Sequence, residues 1–192
     1  MRQTADILRP WQSMGEPPPP GGEGPKCQDC GWSQWVELGG GDSPDAFHPN
    51  LDVRILPGVD IAHDLERLPL PFHDGHAERM KLVHVLNHLT AVAGEALLAE
   101  CFRILRPGGE IFVMVTDLAF CMDRVLADGP LDCWMTCIYG TRGDTHGADF
   151  HKWGYTRESL LRLLSQSGFA TIQFVGDPRG DQFRAAPLVR RI

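Results

Sequence analysis

The residues of this sequence best suited to holding a ligand are Val36-Glu37-Leu38-Gly39-Gly40-Gly41-Asp42. A strand that runs into three glycines can bend sharply. With no Cβ in the way, its backbone can also come close to a bound molecule. Two carboxylates follow at the ends of the next extended runs. Asp52 can accept hydrogen bonds from both hydroxyls of a ribose. Asp64, in His63-Asp64-Leu65, can accept from an exocyclic amine while the Leu65 backbone N–H serves a ring nitrogen. A dinucleotide fingerprint would need glycine three residues beyond Gly41, where Pro44 stands, and no Gly-Lys-Ser/Thr follows to make a phosphate loop. Glycines near a ligand without a phosphate cradle suit a nucleoside-containing cofactor that lacks a diphosphate.

Other groupings carry different chemistry. Cys27-Gln28-Asp29-Cys30-Gly31 resembles half of a zinc knuckle, because two thiolates at this spacing can share one metal. A structural site needs two more ligands, which Cys133 and Cys137, or His146 and His151, would supply if the fold brought them close. No metal ligand is assigned on this pattern alone. His84 and His88 stand four apart, a spacing compatible with a metal, or with one residue lining a ligand and one on the surface. His146 and His151 flank Asp149 in a glycine-rich stretch before Tyr155, where they are candidates for binding an acceptor or for a surface loop. Trp134, Tyr139 and Trp153 are candidates for an acceptor pocket or for core packing.

These residues need elements to position them. Ala5–Met14 reads as a short helix with Thr4 as N-cap, and Gly15–Lys26, with Pro17-Pro18-Pro19-Pro20, as a linker or mobile arm. Residues 1–26 therefore form an arm and residues 27–192 the folded domain. Strands are expected at Gln34–Leu38, Asn50–Ile55, Val59–Ala62 and Met80–Val85. A helix over Val92–Leu105, with its apolar residues at helical spacing, is stopped by Pro107-Gly108-Gly109. Glu110–Thr116 is apolar on both faces, as a strand covered on both sides must be. Thr156 caps a helix reaching Ser167, followed by strands at Ala170–Val175 and Phe183–Val189. Alternating strands and helices indicate an α/β domain with a mostly parallel sheet.

Composition narrows the function. At 192 residues and 43% hydrophobic, the chain has the size and apolar content of one globular domain. Its net charge of −7 opposes general nucleic-acid or membrane-surface binding, which need a positive field. It contains no apolar run long enough to span a bilayer, and Met1–Met14 lacks the apolar core of a secretory signal. The reading is a cytoplasmic protein with reduced thiols.

From Val36 to Asp117 the sequence resembles the class I S-adenosylmethionine-dependent methyltransferases, specifically the methyltransferase type 11 group. The likeness is carried by Glu37, Gly39 and Gly41, by Asn50 and Asp52, by Pro57-Gly58-Val59-Asp60 and by Asp64-Leu65. It continues through Leu70-Pro71-Phe72-His73-Asp74-Gly75, His84-Val85-Leu86-Asn87-His88 and Leu105–Gly109, and later Lys152–Thr156 and Gly168-Phe169. The resemblance implies a Rossmann-like sheet with helices on both faces and S-adenosylmethionine across the ends of its first strands. Glu37, Gly39 and Gly41 would line the methionine side, Asp52 the ribose, and Asp64 with Leu65 the adenine. His84 would stand near the methyl group. No catalytic residue is assigned. The acceptor would be a small molecule or a protein.

The chain also departs from the family pattern. Ala77-Glu78 replaces Phe-Asp, Arg79 and Lys81 place charge on the fourth strand, Asn87 replaces glutamate, and little chain is left for a first helix between Gly41 and Asn50. Two alternatives stay open: a non-catalytic relative that binds cofactor or a protein partner, and a small zinc-bearing interaction protein.

Overall fold

The computed structural model describes residues 25–41, 49–141, 147, 149–175 and 184–190. Its strands are β1 (Trp35–Leu38), β2 (Asn50–Asp52), β3 (Ile61–Ala62), β4 (Ala77–Val83), β5 (Leu105–Thr116), β6 (Ala170–Val175) and β7 (Arg184–Arg190). They form one sheet in the order β3-β2-β1-β4-β5-β7-β6. Strands β1 to β5 pair in parallel, and β7 runs antiparallel to both of its neighbours, β5 and β6. The chain order reverses direction across β1 and β4, and ligands of open α/β sheets sit at such a switch point.

The core explains the strands. Val36 and Leu38 on β1, Met80 and Leu82 on β4, and Ile111, Val113 and Val115 on β5 are all fully buried. Helix α1 (Ala91–Ile104) brings Leu97, Leu98, Cys101 and Ile104 into the same cluster. Thr90 caps this helix by accepting from the Ala93 N–H at 3.2 Å. Helix α4 (Arg157–Gln166) starts with a reciprocal capping box between Thr156 and Ser159, and adds Leu160, Leu163 and Leu164 to the core.

Several expectations are corrected. β2 ends at Asp52, β3 is confined to Ile61–Ala62, and β4 starts at Ala77. Pro107-Gly108-Gly109 lies within the irregular first part of β5, where the register against β4 shifts between Ala77 and Arg79. There an added Cβ on Gly109 would meet the Arg106 and Ala77 carbonyl oxygens at 2.9 and 3.2 Å, so the backbones run too close for any other residue. Helices α2 (Leu118–Asp128) and α3 (Asp132–Tyr139) occupy a stretch without an expected element. Their punctuation was available in the sequence: Asp117 accepts from the Ala119 and Phe120 N–H groups, and Gly129 and Gly140 end the two helices. The expected Ala5–Met14 helix, most of the arm and residues 42–48 after Gly41 lie outside the described residues. Among the described residues no helix is long and apolar enough to cross a membrane.

One polar knot ties α1 to the segment leading into β4. Glu100 accepts from the Leu70 N–H at 2.7 Å and from Arg103 at 2.6 and 2.8 Å. Arg103 also donates to the Phe72 carbonyl and to Asp74. The Arg103 guanidinium holds the Glu100 carboxyl below its ordinary value of 4.5, with burial opposing. A carboxylate whose folded pKa is lowered stabilises the protein above its unfolded value, and that contribution disappears as pH falls through the folded one. Glu100→Gln is expected to cost about 1.5–3 kcal/mol at neutral pH. Urea unfolding over a pH series should show the gap to wild type closing as pH falls below the ordinary glutamate range.

Candidate functional site

Gly39, Gly40 and Gly41 follow β1, Asp52 ends β2, Asp64 and Leu65 follow β3, and His84 follows β4. All seven line one cavity of about 550 Å³, together with Val53, Arg54, His88 and Lys152. The sheet therefore gathers the three expected strand ends at one place.

The glycine bend is held from below. Asn50, fully buried, accepts from the Gly40 N–H at 3.0 Å and donates to the carbonyls of Gly41 and Gly58. Its own backbone N–H is taken by the Asp60 carboxylate at 2.8 Å. Asn50 and the Pro57–Asp60 turn thus act together to shape the bend. Gly39 has φ +69°, and a Cβ there would stand 2.5 Å from Val85 Cγ2. Gly39→Ala therefore meets both a strained backbone and a clash. It is expected to destabilise the domain by about 1–3 kcal/mol and to displace Val85 at the cavity wall, changes that thermal unfolding and ligand titration would register.

Asp52 is buried at 4% exposure. Its carboxylate accepts from the Gly41 N–H at 3.0 Å and the Arg54 N–H at 2.9 Å, and the Arg54 side chain reaches it at 3.1 Å. Burial pushes the Asp52 carboxyl up, but the Arg54 and Gly41 donors outweigh it and hold the group below the usual range. It is an anion presented at the cavity wall. Asp64 accepts from the Glu66 N–H at 3.0 Å and stands 3.5 Å from Arg67, which fixes its turn. His84 adopts φ +57°, a left-handed conformation uncommon outside glycine, at the point where β4 enters the cavity.

Glu37 is placed differently from the glycines. It does not line the cavity but lies beneath the bend, buried at 3% and paired with Lys81 Nζ at 2.8 Å. β1 and β4 pair these two residues directly across the ladder. The charge on β4, unexpected for a central strand, is thereby answered by β1. Arg79 is accommodated differently, with its guanidinium 5.2 Å from the centre of the Trp35 ring. Asn87, the other polar departure, is a structural pin. Its carbonyl accepts from the Lys152 and Trp153 N–H groups at 2.8 and 3.2 Å, and its side chain accepts from Thr116 N–H.

The late loop reaches the cavity through Gly147, Asp149 and Lys152. Lys152 bonds Glu66 at 2.8 Å across the mouth. His151 does not line the cavity; its ring meets that of His88 at 4.9 Å, and burial, with the neighbouring His88, pushes its pKa down. His146 lies outside the described residues. Trp134 packs against Phe120 on α2, whereas Tyr139 and Trp153 are exposed and none of the three lines the cavity.

Of the expected completions of the zinc knuckle, Cys137 and His151 have other neighbours and His146 lies outside the described residues. Cys137 lies beside Cys121, and the two thiols of the knuckle face His73 and His76 instead. His73 draws the Cys27 thiol down to about 6, against the effect of burial.

Residues 50–113 match the family described as methyltransferase domain, a span that excludes the glycine bend. Solved structures give the same fold over most of the chain. A 1,6-didemethyltoxoflavin-N1-methyltransferase from Burkholderia thailandensis, with bound 1,6-didemethyltoxoflavin and S-adenosylhomocysteine, is 17% identical with TM-score 0.54, covering 82% of this chain and 71% of that one. The chain therefore has the fold of these methyltransferases. A possible histamine N-methyltransferase from Thermotoga maritima is 16% identical to the domain, with TM-score 0.55 and coverage of 82% and 81%. Human N-acetylserotonin methyltransferase in complex with S-adenosylmethionine is 20% identical, with TM-score 0.52 and coverage of 81% of this chain and 46% of that one. No curated protein matches the sequence significantly.

Proposed function

We propose that this domain binds S-adenosylmethionine in the cavity above β1, β2 and β4, and transfers its methyl group to a small-molecule acceptor. The observation that carries the reading is the cavity itself, because a glycine bend with no room for a Cβ at Gly39 stands beside a buried carboxylate and a second acidic turn. The donor set fits an adenosyl group: Asp52 would take the ribose hydroxyls, while Asp64 and the Leu65 N–H would take the adenine. Gly39 and Gly41 would border the methionine portion, and Glu37 would support it indirectly by holding the bend.

When bound, S-adenosylmethionine supplies a methyl group already activated on a sulfonium. The residues then have mainly to align an acceptor, since proximity and orientation account for much of the barrier. His84, His88 and Asp149 border the cavity where an acceptor would approach, and no general base is assigned to any of them. A small molecule is favoured over a protein by the similar structures named above, all methyltransferases named for small acceptors. A cytoplasmic location goes with this reading.

A second reading, cofactor binding without transfer, draws on Arg54, whose guanidinium lies against the carboxylate that a ribose would need. Calorimetry with S-adenosylhomocysteine, followed by methyl transfer from labelled S-adenosylmethionine to a panel of amines, phenols and heterocycles, separates the two. Binding with transfer supports the enzyme, binding without transfer to any acceptor supports the second reading, and no binding at high protein concentration sinks both.

A further inference from the structure

Cys27, Cys30, His73 and His76 meet at the opposite end of the sheet from the cavity. One ligand atom from each lies within 4.8 Å of the others. Cys27 Sγ is 3.1 Å from His73 Nε2, and Cys30 Sγ is 3.6 Å from His76 Nδ1. These separations approach the edges of a tetrahedron with metal–sulfur bonds of about 2.3 Å and metal–nitrogen bonds of about 2.0 Å. We propose that these four side chains bind one structural zinc ion.

Three independent features support the assignment. Each histidine has its second ring nitrogen held by a backbone carbonyl: His73 Nδ1 by Asp74 at 2.9 Å and His76 Nε2 by Ser33 at 2.9 Å. Such bonds fix the tautomer that leaves the other nitrogen's lone pair directed at a metal. The cysteine pair sits in a tight knuckle, closed by the Cys27 N–H to Trp32 carbonyl bond at 2.7 Å, the Gly31 N–H to Cys27 carbonyl bond at 2.9 Å, and Gly31 at φ +76°. Finally, Cys27 and His76 are buried while Cys30 and His73 are exposed, which gives the ion an entry path and a dry inner side. Two thiolates and two imidazoles in a closed set select zinc over magnesium or calcium, and leave no open position for substrate.

The placement defines the role. The knuckle leads directly into β1 at Trp35, and His76 leads directly into β4 at Ala77. Zinc would therefore clamp the bases of two adjacent parallel strands whose other ends border the cavity. The same histidine segment is held to α1 by Arg103, which donates to Phe72 and Asp74.

Metal analysis of the full chain, purified without metal-binding tags under reducing conditions, is expected to give one zinc per chain. Replacement by cobalt should give the intense visible absorption of a tetrahedral thiolate site. Cys30→Ser and His73→Ala should lose the stoichiometric metal, while Cys133→Ser keeps it. Stripping zinc should lower the melting temperature yet leave S-adenosylhomocysteine affinity unchanged at temperatures where the stripped chain is folded. Substoichiometric zinc in the wild type together with an octahedral cobalt spectrum would overturn the proposal, even if the variants fail to fold. Loss of S-adenosylhomocysteine binding from stripped but folded protein would overturn the structural role.

Discussion

Lys81→Met should destabilise the domain by about 3–5 kcal/mol, because it leaves Glu37 a buried carboxylate without its ammonium partner. The pair spans β1 and β4 at 2.8 Å with both side chains 3% exposed, so little solvent can compensate for the lost charge. Glu37→Met should cost a similar amount for the converse reason. The double variant E37M/K81M is expected to recover most of the loss, since an apolar pair of similar volume carries no desolvation penalty. Urea unfolding of the four proteins completes the cycle. A Lys81→Met loss below about 1 kcal/mol would place the pair among weak surface-like bridges. Because Glu37 Cδ lies 2.8 Å from where a Gly40 Cβ would be, the double variant should also shift the bend and weaken S-adenosylhomocysteine binding even where stability returns.

Asp52→Ala should weaken S-adenosylhomocysteine binding by roughly 10- to 100-fold, corresponding to hydrogen bonds on a charged group worth about 1.5–3 kcal/mol. The substitution also removes the acceptor for the Gly41 N–H, so part of the loss comes from a looser bend. Arg54→Ala is the informative companion. If the guanidinium merely shields the carboxylate until ligand arrives, its removal should leave affinity unchanged or raise it. If Arg54 instead tightens the site, affinity should fall along with that of Asp52→Ala. Calorimetry on both variants decides, and unchanged affinity in Asp52→Ala would remove the ribose assignment.

The sequence made the cavity largely legible because its parts are local. A glycine bend, an aspartate ending a strand and an Asp-Leu turn each carry their geometry within a few residues, and the parallel sheet aligns their strand ends. Helices α1 and α4 were equally readable from Thr90, Thr156 and the apolar spacing between caps. What the linear pattern hid depends on cross-strand register. Lys81 looked out of place until β1 set Glu37 opposite it, a partner of which the Glu37 motif gave no sign. The Cys-x-x-Cys pair likewise had two candidate completions, and the fold brings His73 and His76 to it instead. The His-x-x-His spacing of His73 and His76 was visible, but nothing short of the β1–β4 pairing places it 46 residues away in sequence and in contact. Helices α2 and α3 carried adequate caps at Asp117, Gly129 and Gly140 and are rich in apolar residues, of which only Cys121 is buried, so no core-facing stripe marks them.

The bond between Lys152 and Glu66 has a consequence for exchange with the surroundings. It joins the late loop to the turn after β3 over the cavity rim, and both side chains remain partly solvated. A bridge of that kind is screened by ions at physiological concentrations. Ligand association through the rim is therefore expected to quicken slightly as ionic strength rises, which stopped-flow binding at low and high salt would register.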